Sequence, residues 1–194
     1  MEVMVFAARA GNRILSAAAA VLIVLMMSYG GYSLWDNLMV SRGALLDGEI
    51  LKYRPETNIP GENPSLQELV YLNPDVRGWL TIDGTHIDYP VVQGEDDMEY
   101  VNKDVLGEFS LSGSIFLSCL NSPDFSDGYS LVYGHHMDNG GMFSDVMEFL
   151  DEDYFQNHEA GTLSLAGESF DIRLFACAKV DAYCTGTTYL RKTG

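Results

Sequence analysis

Apolar residues form one long run near the start of the chain and short, alternating runs after it. Residues 14–35, ILSAAAAVLIVLMMSYGGYSLW, hold no formal charge over 22 positions. A helix of that length rises about 1.5 Å per residue and crosses a hydrocarbon core of about 30 Å. Arg9 and Arg13 precede the run and Asp36 follows it. By the positive-inside rule, we predict a transmembrane anchor at 14–35 with residues 1–13 in the cytoplasm.

A cleaved signal peptide is the alternative interpretation of this run. Such a peptide has a shorter apolar core with small residues after it at the cleavage site. Here the small residues lie inside the run, so the pattern favours a retained anchor and an extracellular C-terminal part. Residues 36–62 have a mixed pattern that ends in Pro55, Pro60 and Gly61, which predicts a juxtamembrane helix followed by a linker.

Beyond residue 62 the pattern predicts many short strands and few helices. Asn63 as a cap and Pro64 at the first helical position open a helix with Leu66 and Leu69 on its apolar face. Helical spacing predicts a second helix over 142–150. This combination indicates a mostly-β barrel or sandwich. Strands are predicted at 78–82, 86–92, 114–117, 129–133, 162–165 and 169–177.

The charge is acidic and unevenly distributed. The chain holds 28 acidic and 11 basic residues, for a formal charge of −17. Residues 61–194 hold 23 acidic and six basic residues, so the whole excess lies in the predicted globular part. This balance argues against nucleic acid as a partner, because no basic surface is available to neutralise phosphates.

Candidate chemistry lies in the segment LVYGHHMDNGGMF at 131–143. A β-type run ends there at Gly134, and His135 follows. A strand that stops at this point presents an imidazole at the rim of a sheet. Because the unperturbed pKa of histidine is the nearest to neutrality, the placement suits proton transfer.

Several segments, in order along the chain, resemble the class B sortases of Gram-positive bacteria. The resemblance implies a sortase-type β-barrel with an N-terminal helical extension and one transmembrane helix. The matching segments are NPDVRGWLTIDGTHIDYPVVQG at 73–94, GSIFL at 113–117, NSPDFSDGYSLVYGHHM at 121–137, MF at 142–143, FQNHEAGTLSL at 155–165 and FDIRLFACAKVDAY at 170–183.

The resemblance also implies a function. These sortases are cysteine transpeptidases that cut a sorting motif near the C-terminus of a surface protein and join it to a cell-wall amine. The implied partners are a sorting-signal peptide, a peptidoglycan amine and the membrane, without a metal or organic cofactor. A cysteine thiolate attacks, a histidine transfers protons and an arginine stabilises the oxyanion. His135, the first histidine after Tyr133-Gly134, takes the position of the catalytic histidine, with His136 as its neighbour.

The family's nucleophile lies in a Thr-Leu-x-Thr-Cys strand with the arginine on the next strand, and this sequence contains neither motif. We therefore expect a partial sortase barrel at 63–183, an atypical tail at 184–194, and a C-terminally truncated, inactive enzyme. The alternative is a noncatalytic, membrane-tethered interaction module that keeps part of the sortase fold.

Three cysteines could imitate the missing nucleophile. Cys184 with Arg191 has the right residue types, but Asp-Ala-Tyr precedes Cys184 in place of the family motif. Cys119 is interpreted as a local substitution, and Cys177, in an alternating apolar run, as a core residue. None of them is predicted to be catalytic.

Two polar groups near the predicted site have alternative explanations. The histidines His135, His136 and His158 invite a metal site, but adjacent histidines on a strand point to opposite faces, and no metal-binding spacing is present. Asp97 lies where many sortases carry Asn or Asp near the active site, although a solvated acidic run explains it equally well.

Overall fold

In a computed structural model, the structure describes residues 2–44, 48–56, 63–137 and 140–180. Its helices and strands follow in chain order. The α-helices are α1 (Glu2–Ala44), α2 (Gly48–Leu51), α3 (Pro64–Leu72) and α4 (Glu152–Asn157), with 3-10 helices at Glu99–Val101 and Ser144–Leu150. The strands are β1 (Val76–Ile82), β2 (Asp88–Val92), β3 (Ile115–Leu117), β4 (Val132–Tyr133), β5 (Ala160–Ser164) and β6 (Ser169–Arg173).

The six strands form one sheet in the order β4-β3-β2-β1-β5-β6. Strand β1 lies centrally and pairs antiparallel with both β2 and β5. The pairing of β2 with β3 is parallel, and the remaining pairs are antiparallel. Within the described residues, β4 and β6 are the two edges of the sheet, which confirms the mostly-β prediction for this part of the chain.

The main core lies between α3 and one face of the sheet. Leu66 and Leu69 of α3 are fully buried and pack with Trp79 of β1 and Val92 of β2. The indole N–H of Trp79 donates a hydrogen bond to Asp88 at 2.8 Å. A buried tryptophan contributes a large apolar surface and needs a partner for its N–H, and both conditions are met here.

Helix α1 is longer than the predicted anchor and includes its apolar run. It has 43 residues, and residues Arg9–Met39 are long and apolar enough to cross a membrane. None of the most apolar stretch is buried against the rest of the chain. The first part of the predicted juxtamembrane region therefore continues the same helix.

Two predicted elements differ from the structure. The segment predicted as a helix over 142–150 forms a 3-10 helix that begins at Ser144. Met142 lies before it because its φ of +55° is outside the helical region. Strand β6 ends at Arg173 rather than at residue 177, since its partner β5 begins at Ala160 and only Glu159 remains to bind Leu174. Cys177 is accordingly half-buried at the margin of a small cluster around Phe149, not in a strand core.

The predicted tail at 184–194, with Cys184 and Arg191, lies outside the described residues, as does Tyr183.

The start of α3 is fixed by a long-range contact rather than by side-chain capping. Asn63 precedes the helix but makes no side-chain cap hydrogen bond. Its buried amide instead donates to the carbonyl of Leu165 at 2.7 Å, and its backbone N–H donates to the carbonyl of Ala166. Asn63 thus joins α3 to the turn between β5 and β6.

We predict that Asn63→Asp destabilises the protein although aspartate is as good a helix cap as asparagine. The carboxylate cannot donate to the Leu165 carbonyl, so a buried acceptor loses its partner. The free energy of unfolding should fall by about 1–3 kcal/mol, measured by chemical denaturation of the full chain in nonionic detergent. Asn102→Asp, at an exposed position whose side chain makes no hydrogen bond with the described residues, is the matched control and should change it by less than about 0.5 kcal/mol. Equal effects of the two substitutions would contradict the assignment.

Candidate functional site

The predicted catalytic histidine, His135, is separated from the end of β4 by Gly134 alone. Gly134 is packed so closely that a Cβ there would collide with Ile115 and lie 2.6 Å from the ring of Phe143. Only glycine fits between these two side chains. This close approach fixes the end of the strand and therefore the position of His135.

The backbone of His135 itself is held by a hydrogen bond to the loop that follows it. Its carbonyl accepts a hydrogen bond from the N–H of Phe143 at 2.9 Å. One residue earlier, the N–H of Met142 donates to the hydroxyl of Tyr89 at 2.9 Å. His135 therefore stands at the base of a loop whose two ends are joined, and that loop is tied to β2.

The two adjacent histidines differ in their surroundings. His135 is half-buried, whereas His136 is exposed and forms an isolated bridge with Met142. His158 lies elsewhere, where its ring stacks on Tyr154 with centroids 4.0 Å apart. Among the described residues, no three His, Cys, Asp or Glu side chains converge as metal ligands.

A second polar cluster lies at the other end of β3. The carboxylate of Asp97 accepts the backbone N–H of Cys119 at 2.7 Å and the hydroxyl of Ser118 at 3.1 Å. These hydrogen bonds hold the pKa of Asp97 below its usual value, the Cys119 N–H being the largest cause. Asp97 is therefore an organised part of the turn after β3, rather than one of a run of solvated acids.

The same carboxylate affects two neighbouring groups. The pKa of the Cys119 thiol is raised, first by desolvation and then by Asp97. The pKa of Tyr133 is also raised, by desolvation and by the charge of Asp97. Because the thiolate is the nucleophilic form, a raised pKa makes Cys119 less reactive.

The strand register separates Cys119 from His135. Phe116 pairs with Tyr133, which places Ser114 opposite His135. Because β3 and β4 are antiparallel, Cys119, in the turn after the end of β3, lies toward the start of β4, whereas His135 follows the end of β4. The two side chains are therefore not brought together as a nucleophile and its acid.

The edge of β4 is open within the described part of the chain. Tyr133 packs on Phe116 of β3 with ring centroids 5.1 Å apart, and β3 is the only strand that pairs with β4 there. An extended segment could therefore add to the sheet directly beside His135.

Comparison with known proteins identifies the class of this fold. No family model matches the chain. It is 36% identical to sortase B of Listeria monocytogenes over 121 residues, which are 62% of this chain and 49% of that relative. It resembles the crystal structure of a Streptococcus pyogenes class B sortase involved in pilus biogenesis, with a TM-score of 0.58, 44% identity, and coverage of 61% of this chain and 66% of that one. A Staphylococcus aureus sortase B–substrate complex matches with a TM-score of 0.56 and 27% identity, and the match covers 58% of this chain and 52% of that one.

The chain belongs to the class B sortases. The sheet described above is a curled half-barrel of the sortase type, and the N-terminal helix is one that could span a membrane. The chain spans about half the length of the curated relatives it matches.

Sequence reasoning missed the residues that fix the site from a distance. Tyr89 holds the loop after His135, and Gln93 donates to the carbonyls of Ser118 and Asn121 at 2.9 and 2.8 Å. Each contact joins residues at least 25 positions apart. No local pattern could have indicated them.

We predict that Gly134→Ala displaces His135 and destabilises the domain. The added methyl group must push Ile115 and Phe143 apart, and such overpacking costs about 1–3 kcal/mol. Chemical denaturation of the full chain measures the change. Gly128→Ala is the control, because a Cβ at Gly128 meets nothing within 4 Å. If the two variants are equally stable, the packing around Gly134 does not fix the strand end.

We also predict that Asp97→Asn lowers the pKa of the Cys119 thiol. The negative charge that disfavours the thiolate is removed, while the desolvation that raises the pKa remains. With Cys177→Ser and Cys184→Ser leaving Cys119 as the single thiol, the midpoint of the pH dependence of alkylation by iodoacetamide should move to lower pH.

Asp96→Asn is the matched control for this titration. Asp96 raises the Cys119 pKa through its charge alone and is the smallest cause. The Asp96→Asn substitution should therefore shift the midpoint of the alkylation titration less than Asp97→Asn does. An unchanged midpoint in Asp97→Asn would contradict the coupling.

Proposed function

We propose that this chain supplies the anchor and the acid/base half of a class B sortase active site, with His135 as the proton-transfer group. The observation that carries the proposal is the position of His135. It follows the end of β4 by two residues, at a sheet edge that is open within the described residues, and its backbone carbonyl is hydrogen-bonded to Phe143. A half-buried imidazole held in this way is available to a substrate and restricted in position.

The chemistry follows from the family. A cysteine thiolate attacks the scissile carbonyl, and His135 protonates the leaving amine as the thioester forms. His135 then takes a proton from the incoming amine as the thioester is resolved. An arginine stabilises the negative charge on the carbonyl oxygen.

The cysteine and the arginine would come from strands added beside β4. The Thr-Leu-x-Thr-Cys motif is absent from the sequence, so we propose that the 194-residue chain does not catalyse transpeptidation by itself. The raised pKa of Cys119 and its distance along the sheet from His135 support excluding it as a substitute.

The proposed partners are a sorting-signal peptide and a peptidoglycan amine. A sortase B of Staphylococcus aureus has been solved with a substrate, which supports a peptide site in the same fold. The apolar, unburied helix α1 supports a single-pass membrane protein. The charges around it favour a cytoplasmic N-terminus and an extracellular domain.

A chimera tests the role of His135. The chain is extended with the C-terminal half of the Listeria monocytogenes sortase B, from the end of the matched segment onward. Cleavage of that relative's own sorting-signal peptide is then measured. The 194-residue chain should show no turnover, and the chimera should restore it. His135→Ala in the chimera should reduce the rate by about 10²–10⁴-fold.

His136→Ala is the matched control in the same chimera. His136 is exposed and adjacent in sequence, so its loss should leave the rate nearly unchanged. A folded chimera that retains its rate after His135→Ala would refute the assignment. Turnover by the unextended chain that is lost on His135→Ala would refute the inactivity.

A stable short chain whose folded chimera is inactive would favour the noncatalytic module. Sequencing the DNA beyond codon 194 and translating all three frames gives an independent check. A Thr-Leu-x-Thr-Cys and arginine continuation would support the enzyme.

A further inference from the structure

A cavity of about 570 Å³ lies between the last turns of α1 and the sheet. Its volume is in the range of about 300–1,000 Å³ that is typical of small-molecule sites. Helix α1 contributes Tyr32, Trp35 and Met39 to one wall. The facing wall is mainly apolar and includes Val105, Leu106, Phe109, Leu111, Ile115 and Met142.

The cavity is suited to an apolar chain. Ile115, Met142 and Val105 are buried at its base. Phe109 is 76% exposed, and Leu106 is also exposed. Apolar side chains held open to solvent beside an apolar cavity gain free energy when a ligand covers them.

The charged residues of the lining have one sign. They are Asp36, Glu49 and Asp104, and no lysine or arginine whose side chain the structure describes lines the cavity. The carboxylate of Asp104 already accepts two backbone N–H groups of its own loop. Asp36 and Glu49, by contrast, make no hydrogen bond or ion pair with the described residues, so their charges are available to a ligand.

The lysines next to these acids in the sequence have contacts of their own. Lys52, three residues after Glu49, lies over the ring of Tyr53 at 4.8 Å from its centroid. Lys103 is bound to Glu99 with the nitrogen and oxygen 2.8 Å apart. The cavity therefore favours a positive group beside the apolar chain and disfavours a phosphate, sulfate or carboxylate.

The position of the cavity indicates the source of such a ligand. Tyr32, Trp35 and Met39 are in the last turns of the apolar stretch Arg9–Met39. Aromatic residues at the end of a membrane span lie at the membrane–water interface, where amphiphiles present a chain and a head group together. We propose that the cavity binds the apolar chain of a membrane amphiphile whose head group is positively charged. This proposal rests on the membrane anchoring in the proposed function and is independent of the sortase chemistry.

Quenching of tryptophan fluorescence tests the proposal with a defined probe. The chain has two tryptophans; Trp35 lines the cavity, and Trp79 is buried in the core. The full chain in maltoside micelles is titrated with a single-chain trimethylammonium amphiphile that carries bromine on its chain. The same brominated chain with a sulfate head is the comparison.

We expect saturable quenching by the ammonium amphiphile, at a concentration about five- to tenfold below that for the sulfate, since exposed charge pairs contribute about 0.2–1 kcal/mol each. Trp35→Phe should remove the signal. The double variant Asp36→Asn, Glu49→Gln should make the half-saturating concentrations of the two amphiphiles nearly equal. Phe109→Asp should weaken both, whereas Phe175→Asp, 92% exposed and outside the cavity, should change neither.

Equal half-saturation of the two amphiphiles by the unchanged protein would overturn the proposal. So would quenching that is not saturable, or saturation that depends on protein concentration and so indicates a second copy in the cavity. Membrane insertion is measured separately, by protease access to residues 36–194 in sealed vesicles. Binding in micelles without insertion in vesicles would support the cavity and overturn the anchoring.

Discussion

The burial of Trp79 with a partner for its indole N–H is the interaction on which the rest of this sheet depends. Trp79 lies on β1, which is bonded to a strand on each side. Its partner Asp88 begins β2 and also accepts the hydroxyl of Thr81 and pairs with Arg54 at 3.0 Å. Asp88 therefore connects β1 and β2 with the segment after α2. Removing Asp88 would leave the buried indole N–H without an acceptor, at the level where α3 packs on the sheet.

The site depends on this sheet through β2 and β3. Tyr89 follows Asp88 directly, and its hydroxyl binds the N–H of Met142. Ile115 of β3 packs against Gly134 on one side and contributes to the buried cluster with Tyr89 on the other. The position of His135 is thus a consequence of the central strands, although His135 itself lies at the edge.

Much of the fold could be predicted because its signals are local. The alternation of β1, the Asp83-Gly84 turn and the proline at the start of α3 are each contained within a few residues. Gly84 has the φ of +74° that such a turn requires. The end of β6 could not be predicted, because it depends on where β5 begins. The helix expected at 142–150 starts at Ser144 instead for a related reason: Met142 has a positive φ in the loop that is bonded to Tyr89.

The candidate site divides in the same way. His135 could be located because the glycine and histidine are adjacent and follow a strand-forming run. The role of Asp97 could not be predicted, because a run of three acidic residues has the same sequence pattern whether or not one carboxylate binds the turn after β3. Only the approach of Cys119 and Ser118, more than 20 residues away, distinguishes the two cases.

The His135 loop and the cavity beside α1 have two residues in common. Tyr89 and Met142 both line the cavity, and the Met142 N–H donates a hydrogen bond to the Tyr89 hydroxyl. The next residue, Phe143, donates its N–H to the carbonyl of His135. A ligand that contacts Met142 therefore acts on the backbone that sets the histidine. Since Met142 is already strained at positive φ, small shifts there are opposed by the Tyr89 hydroxyl rather than by regular secondary structure. The position of His135 therefore depends on the Tyr89–Met142 hydrogen bond as well as on the packing of Ile115 and Phe143 around Gly134.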